Sequence, residues 1–288
     1  MVAFPPIAKR SHLVAWVFGS LALAASNSVW AQSSSVAESS QSPAISVGRE
    51  WSGRVGVGVL SIPEYEGASQ MAPVPLIAGE ARWGDRRYIA VEGPSGRMNL
   101  LDQSGLEFGP AFNITFGRDK NIDSKKVRLL GEIDDAVELG AFVAYEIGST
   151  MREGDTIRLA GEVLADATDV HGGVLADVSA TYTAFIGERW RVSSSASLSF
   201  VSDEYADTYF SVTPKGSALS GLKATKVESG AKDFSLSANV SYGLNDRWSL
   251  FGLVGYSRLL GDFADSPIVA VEGDENQFSA GIGVGWRF

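Results

Sequence analysis

The chain has 288 residues, of which 45% are hydrophobic and 20% charged, with no cysteine and a formal net charge of −10. The missing cysteines exclude disulfides and cysteine-based metal centres, and the acidic balance argues against nucleic acid, because no basic surface is on offer to neutralise phosphates. Thirty-two glycines against ten prolines suit many closely packed strands, and a mean hydropathy of +0.05 fits a membrane barrel, where lipid-facing residues alternate with a polar lumen.

The first thirty residues read as an export address. Lys9, Arg10 and His12 form a basic start, an apolar stretch follows over 13–25, and Val29-Trp30-Ala31 before Gln32 resembles a small-x-small cleavage site. The apolar stretch is too short to span a bilayer as a helix. Residues 1–31 are therefore expected to be a signal peptide cleaved near Ala31, residues 32–50 a flexible polar segment, and 51–288 the folded barrel. Cleavage removes two cations and no acid, taking the net charge from −10 to −12. No cysteine follows the cleavage region to carry a lipid, and no later apolar run reaches the ~18 residues of a membrane helix. An exported chain of this kind is periplasmic, secreted or an outer-membrane barrel.

Period-two alternation decides among the three. Strands are expected at 53–61, 73–83, 86–93, 96–102, 105–117, 135–148, 155–165, 173–187, 189–202, 232–244, 247–260 and 276–288. In the fifth, Leu106, Phe108, Phe112, Ile114 and Phe116 alternate with Glu107, Asn113 and Thr115. In the eighth, Val174, Ala176, Val178, Ala180, Tyr182, Ala184 and Ile186 oppose Asp177, Ser179, Thr181 and Thr183. The tenth sets Phe234, Leu236, Ala238, Val240 and Tyr242 against Ser235, Ser237, Asn239, Ser241 and Gly243. The last sets Phe278, Ala280, Ile282, Val284, Trp286 and Phe288 against Gln277, Ser279, Gly281, Gly283, Gly285 and Arg287.

Many of these strands are longer than the ~5–6 residues of soluble sheets and match the ~9–11 needed to cross a bilayer at a tilt. Trp83, Tyr88, Trp190, Trp248, Tyr256, Trp286 and Phe288 sit near strand ends, where interfacial girdles belong. The expectation is an all-β, transmembrane antiparallel β-barrel of about 12 strands, within a range of 10–14. Short turns near Gly84, Gly187 and Asn245 face the periplasm, and longer connections at 62–71, 117–134, 203–230 and 261–275 face outward. The stretch 207–212 either adds a strand or folds back over the barrel. Trp286 and Phe288 form the expected assembly signal, read by the barrel-assembly machinery.

Catalytic chemistry is thin. His171 is the one histidine after the signal peptide, and with Asp166 or Asp169 it imitates the histidine–carboxylate pairs of outer-membrane lipid-modifying enzymes; a loop histidine is the favoured reading. One histidine is too few for a histidine metal site. Asp134-Asp135 and Asp262/Asp265 read as solvated loop acids, since no twelve-residue calcium loop is present. Gly56-Val57-Gly58 lies in a strand with no helix after it, so it is not a nucleotide loop. Glu107, Glu138, Glu146, Arg158, Glu162, Asp177 and Arg287 point inward, as an ion-pair plug or as the lining of a cation-preferring pore; the plug is favoured. No cofactor is expected.

Three segments carry a resemblance. Pro63-Glu64-Tyr65-Glu66-Gly67-Ala68-Ser69 precedes Pro73-Val74-Pro75; Tyr205-Ala206-Asp207-Thr208-Tyr209-Phe210-Ser211-Val212-Thr213 precedes Ser220-Gly221; and Arg258-Leu259-Leu260-Gly261-Asp262-Phe263-Ala264-Asp265-Ser266-Pro267-Ile268-Val269 leads into Asn276-Gln277. Together they resemble the MltA-interacting protein family (MipA/OmpV), with Ser211 standing where the family usually shows Gly. The resemblance implies an outer-membrane barrel without catalytic residues. It implies a scaffold for a murein transglycosylase and a murein synthase, or else a small porin-like channel or an adhesin. Tyr205, Asp207, Tyr209, Phe210, Asp262, Asp265 and Pro267 are the candidate residues of two ordered outer loops expected to pack together, either to bind a partner or to cap the barrel. In such loops Pro267 fixes the backbone, while Asp207, Asp262 and Asp265 accept backbone hydrogen bonds in turns.

Overall fold

The computed structural model describes residues 51–288, so the expected signal peptide and polar segment lie outside the described residues. In chain order come β1 (Ser52–Pro63), β2 (Met71–Trp83), β3 (Arg87–Glu92), β4 (Ser95–Asn99), β5 (Leu106–Thr115), α1 (Lys125–Arg128), β6 (Ala136–Gly148), β7 (Thr156–Asp166), β8 (Val174–Ile186), β9 (Trp190–Val201), α2 (Asp203–Phe210), α3 (Pro214–Ser220), β10 (Gly230–Gly243), β11 (Trp248–Leu259), α4 (Gly261–Asp265), α5 (Pro267–Ala270) and β12 (Asn276–Arg287). Each strand pairs antiparallel with its sequence neighbours, and β12 returns to β1 to close a twelve-stranded barrel. Every expected strand is present, with ends shifted by three residues or fewer.

Alternation places the faces. On β12, Phe278 and Ile282 are 60% and 69% exposed, whereas Gln277 and Ser279 are 3% and 4% exposed. The first set meets lipid and the second the lumen. Gly283 shares the inward face, and Phe251 leans on it: a Cβ there would lie 2.3 Å from that ring.

The end with short turns carries the tryptophans. Trp51 stacks on Trp83 with centroids 5.4 Å apart, Trp190 meets Tyr242 at 4.7 Å, and Trp286 stacks on Phe288 at 5.3 Å. Tyr88 departs from the expected girdle. Its parity on β3 turns it into the lumen, where it is buried and its hydroxyl donates to Glu107 at 2.8 Å. Phe288 lies over Gly53 and exchanges two backbone hydrogen bonds with it, of 3.2 and 3.0 Å. Changing Phe288 to Ser is expected to lower outer-membrane levels and the heat-modifiable gel form; unchanged levels and mobility would refute an assembly role.

The lumen is filled by paired charge. Arg158 is 2% exposed and donates to Glu107 at 2.8 Å, Arg97 faces Glu92 at 3.6 Å, and both guanidinium groups lie over Phe142. Glu80 takes Arg54 at 3.3 Å and Arg82 at 2.5 Å. Inward serines of β9 meet inward threonines of β8: Ser195 with Thr181 at 2.6 Å, and Ser193 with Thr183 at 3.0 Å. A cavity of about 60 Å³ survives among Glu92, Arg97, Asn113, Phe142, Glu162 and Asp177.

One stretch of wall is low. β3 and β4 have six and five residues, whereas β2 has 13. β2 pairs with β3 only from Ala78 to Trp83, and the ladder ends where Gly93 N–H donates to the Ile77 carbonyl at 2.8 Å. On the far side, Ile114 N–H donates to the Pro94 carbonyl at 3.1 Å. Above that level β2 has no strand neighbour on its β3 side. Pro73 and Pro75 lie there, on the parity of Ile77, so their missing N–H groups fall on the unpaired edge.

Candidate functional site

The long connections and all five helices gather at the end opposite the tryptophans. Short turns face the periplasm in such barrels, which puts this cap outside. Local sequence sets each helix. Ser124 caps α1 by accepting from Val127 N–H. Thr213 caps α3, Pro214 begins it, and Gly221 ends it at φ 75°. In α2, Tyr205, Ala206, Tyr209 and Phe210 share one face and are buried, while Asp207 lies on the other and is exposed.

Packing joins the two candidate segments. Phe210 meets Phe263 edge-on at 5.2 Å, and the Ser266 hydroxyl donates to the Phe210 carbonyl at 2.6 Å. Pro267 is buried beside them at the start of α5. Asp262 and Asp265 are exposed, so the expected turn bonds of the three aspartates give way to helices, and Phe263, not Asp262, makes the contact. Phe210→Ala and Phe263→Ala should therefore destabilise non-additively, by at least ~0.5 kcal/mol in a double-mutant cycle on thermal unfolding; additive losses would separate the segments.

Beneath α2 runs a buried polar network that sequence reasoning missed. The Tyr205 hydroxyl donates to Glu66 at 3.0 Å. Glu66 is ion-paired with Lys232, which also meets Asp233 at 3.2 Å and lies 5.6 Å from the Tyr205 ring centre. Burial pushes the Glu66 carboxyl up, against the pull of Lys232, and pushes the Tyr205 and Tyr209 hydroxyls above the ordinary phenol range. These partners are far apart in sequence, and no local motif announces them. By parity Lys232 belongs on the outward face with Phe234, and only the β-bulge between Ala231 and Asp233 turns it inward beside Asp233.

His171 is in the 167–173 connection, as expected, yet it is buried. Its Nδ1 accepts the Gly173 N–H at 3.0 Å, which leaves the proton on Nε2, facing Glu138 Oε1 at 3.2 Å. The ring packs edge-on against Tyr205 at 5.0 Å. Asp166 accepts from the backbone of Thr168, His171 and Gly172, so it shapes the turn. Both ring nitrogens are engaged and neither faces a nucleophile. No cluster of three or more His, Cys, Asp or Glu side chains suited to a metal occurs among the described residues.

The model of the family described as MltA-interacting protein MipA matches residues 55–288, from the middle of β1 through all the remaining strands and the whole cap. The chain belongs to the MipA family. Relatives include the MltA-interacting protein of Escherichia coli K12, 25% identical over 224 residues that cover 74% of this chain and 82% of that protein. Outer membrane protein OmpV of Vibrio cholerae is 28% identical over 229 residues, 70% of this chain and 87% of its own. Among solved structures, the NanC porin aligns over 83% of this chain and 100% of its own, with a TM-score of 0.40 and 8% identity. This MipA-family chain is thus an outer-membrane protein that crosses with strands; no helix of the described residues is long and apolar enough to cross a membrane.

Proposed function

We propose that this barrel is a non-enzymatic interaction protein of the cell envelope, a scaffold for the murein-processing machinery. The observation that carries the reading is the helical cap over the barrel. Helices α2, α4 and α5 pack into one apolar cluster across the outer mouth, with Tyr205, Phe210, Leu259, Phe263 and Val269 buried in it. The lumen below is occupied by paired charges. A rigid, closed body with a committed histidine offers surface rather than passage or chemistry. The name of the Escherichia coli relative supports a murein transglycosylase as partner, and a murein synthase completes the scaffold; outer-membrane lipid and the barrel-assembly machinery are its other partners.

Cross-linking in whole envelopes, followed by capture of the barrel, tests the scaffold. Recovery of a murein transglycosylase is the expected result, and its absence from the cross-linked material would count against it. Planar bilayers test the nearest rival: the capped barrel should pass no current, and steady single-channel steps would favour a small porin.

A further inference from the structure

The low wall between β2 and β5 has a defined height. A strand tilted by ~40° climbs ~2.5 Å per residue, so the six steps from Trp83 to Ile77 rise about 15 Å of a ~25 Å apolar band. The gap thus opens in the outer-leaflet half. Its β2 side shows Ile77 and Met71, 63% and 44% exposed, together with exposed Pro73 and Pro75. An open sheet edge facing hydrocarbon is not tolerated unless something lines it, and the two prolines leave mainly acceptors there. Two proline-occupied positions also cannot continue a ladder, so an added strand is disfavoured.

The connections above the two sides of this gap meet over its top. Tyr65 and Ala68, beyond β1, pack with Ile122 and Val127, beyond β5, and Glu64 accepts from Asp123 N–H at 2.9 Å. Arg118 stands three residues past the end of β5. It is 7% exposed, its Nε donates to the Gly131 carbonyl at 3.4 Å, and among the described residues it has no carboxylate partner. The hydroxyl of Tyr209 is buried without a hydrogen-bond partner, and that of Tyr65 is buried with only the Ser124 hydroxyl near it, which is already engaged by Glu272 and Val127 N–H. Arg118 bridges Ile133, which packs on the cluster of Tyr209, and it bonds to Gly131 beside Leu130, which packs on the cluster of Tyr65; burial lowers its guanidinium to about 10. The acids around the two tyrosines are engaged elsewhere: Glu138 by His171 and Asn113, Glu66 by Lys232 and Tyr205, Asp166 by its own loop, Asp135 by Gly117 N–H, Glu272 by Lys126 and Ser124, and Glu64 by Asp123 N–H.

A buried cation without counter-charge and a buried hydroxyl without an acceptor are each unfavourable alone. Three donors in one place match the needs of a bound oxyanion. We propose that Arg118, Tyr65 and Tyr209 bind the phosphate of an anionic lipid of the outer leaflet, whose chain lies in the gap between β2 and β5. Headgroup-level donors directly above an apolar, strand-free gap fit a lipid better than a soluble anion.

The test uses the mature protein folded in a neutral detergent, with dioctanoyl phosphatidate, dioctanoylglycerol and inorganic phosphate as probes, read by native mass spectrometry and thermal unfolding. Phosphatidate should bind one to one and raise Tm, dioctanoylglycerol should bind at least ~10-fold more weakly, and inorganic phosphate should leave Tm unmoved at equal concentration. Arg118→Gln should lose about tenfold or more in phosphatidate affinity while its lipid-free Tm stays equal or rises, because the charge it removes is unpaired. Tyr209→Phe keeps the ring and should weaken binding severalfold, which secures the test if Arg118→Gln folds poorly. Undiminished phosphatidate binding by both variants, or equal binding of dioctanoylglycerol by the wild type, would overturn the site. A Tm rise from inorganic phosphate equal to that from phosphatidate would overturn the lipid as its source.

Discussion

Replacing Lys232 by Met should destabilise the barrel by about 3–5 kcal/mol, the usual loss when one partner of a buried ion pair is removed. The ammonium is 2% exposed and lies between Glu66 and Asp233, themselves 9% and 6% exposed. Without it, two carboxylates remain under the cap with no cation, and the Tyr205 ring loses the charge above its face. Adding Glu66→Gln to Lys232→Met should recover part of the loss, because the neutral amide can still accept from the Tyr205 hydroxyl. Urea titration in lipid vesicles measures both. A loss below ~1 kcal/mol for the single variant would mean that water already solvates the pair.

Arginine on the outer face should be nearly as damaging. Ile282→Arg and Val240→Arg place a guanidinium on the lipid side of β12 and β10, at a cost of ~2–4 kcal/mol near mid-membrane. Ile282 is 69% exposed and pairs with Val59 and Gly252, so no protein group stands ready to neutralise the new charge. Ser237→Arg enters the lumen from a half-buried position and should lose less. Ser279→Arg is the poorer comparison, because Ser279 is 4% exposed and any larger side chain is crowded there. Equal losses for Ile282→Arg and Ser237→Arg would mean that the faces are reversed.

The strands were legible because each side chain obeys a period of two that needs no knowledge of its neighbours. Phe278 against Ser279, or Val240 against Ser241, declares its face locally. Tyr88 was misread because an aromatic near a strand end is equally at home in the girdle or, with a hydroxyl partner such as Glu107, in the lumen. The cap was legible only as a departure from alternation. α2 has eight residues, too few to be stable alone, so its helical state comes from packing on Phe263 and Val269 rather than from its own pattern. The network is harder still. Glu66 and Lys232 are separated by 166 positions, and closure of the barrel alone brings them together. Arg118 belongs to the same class: its lack of a counter-charge is a property of the folded cap, invisible in a loop that also holds Asp119, Asp123 and Asp134.

The seam between β1 and β12 sets the order of assembly. Its rungs run from Arg54 opposite Arg287 to Ser61 opposite Ala280, so the first and last strands of the described chain are partners. Hairpins such as β10–β11 can form as soon as their own residues are available, but this seam waits for the final strand. Until then the molecule is a curled sheet with two bare edges, each a template for pairing with another copy. Contacts of such long sequence separation form slowly, and the exposed edges raise the risk of aggregation during that delay. A chain built this way must be kept apart from its own kind in transit and zipped shut at its destination.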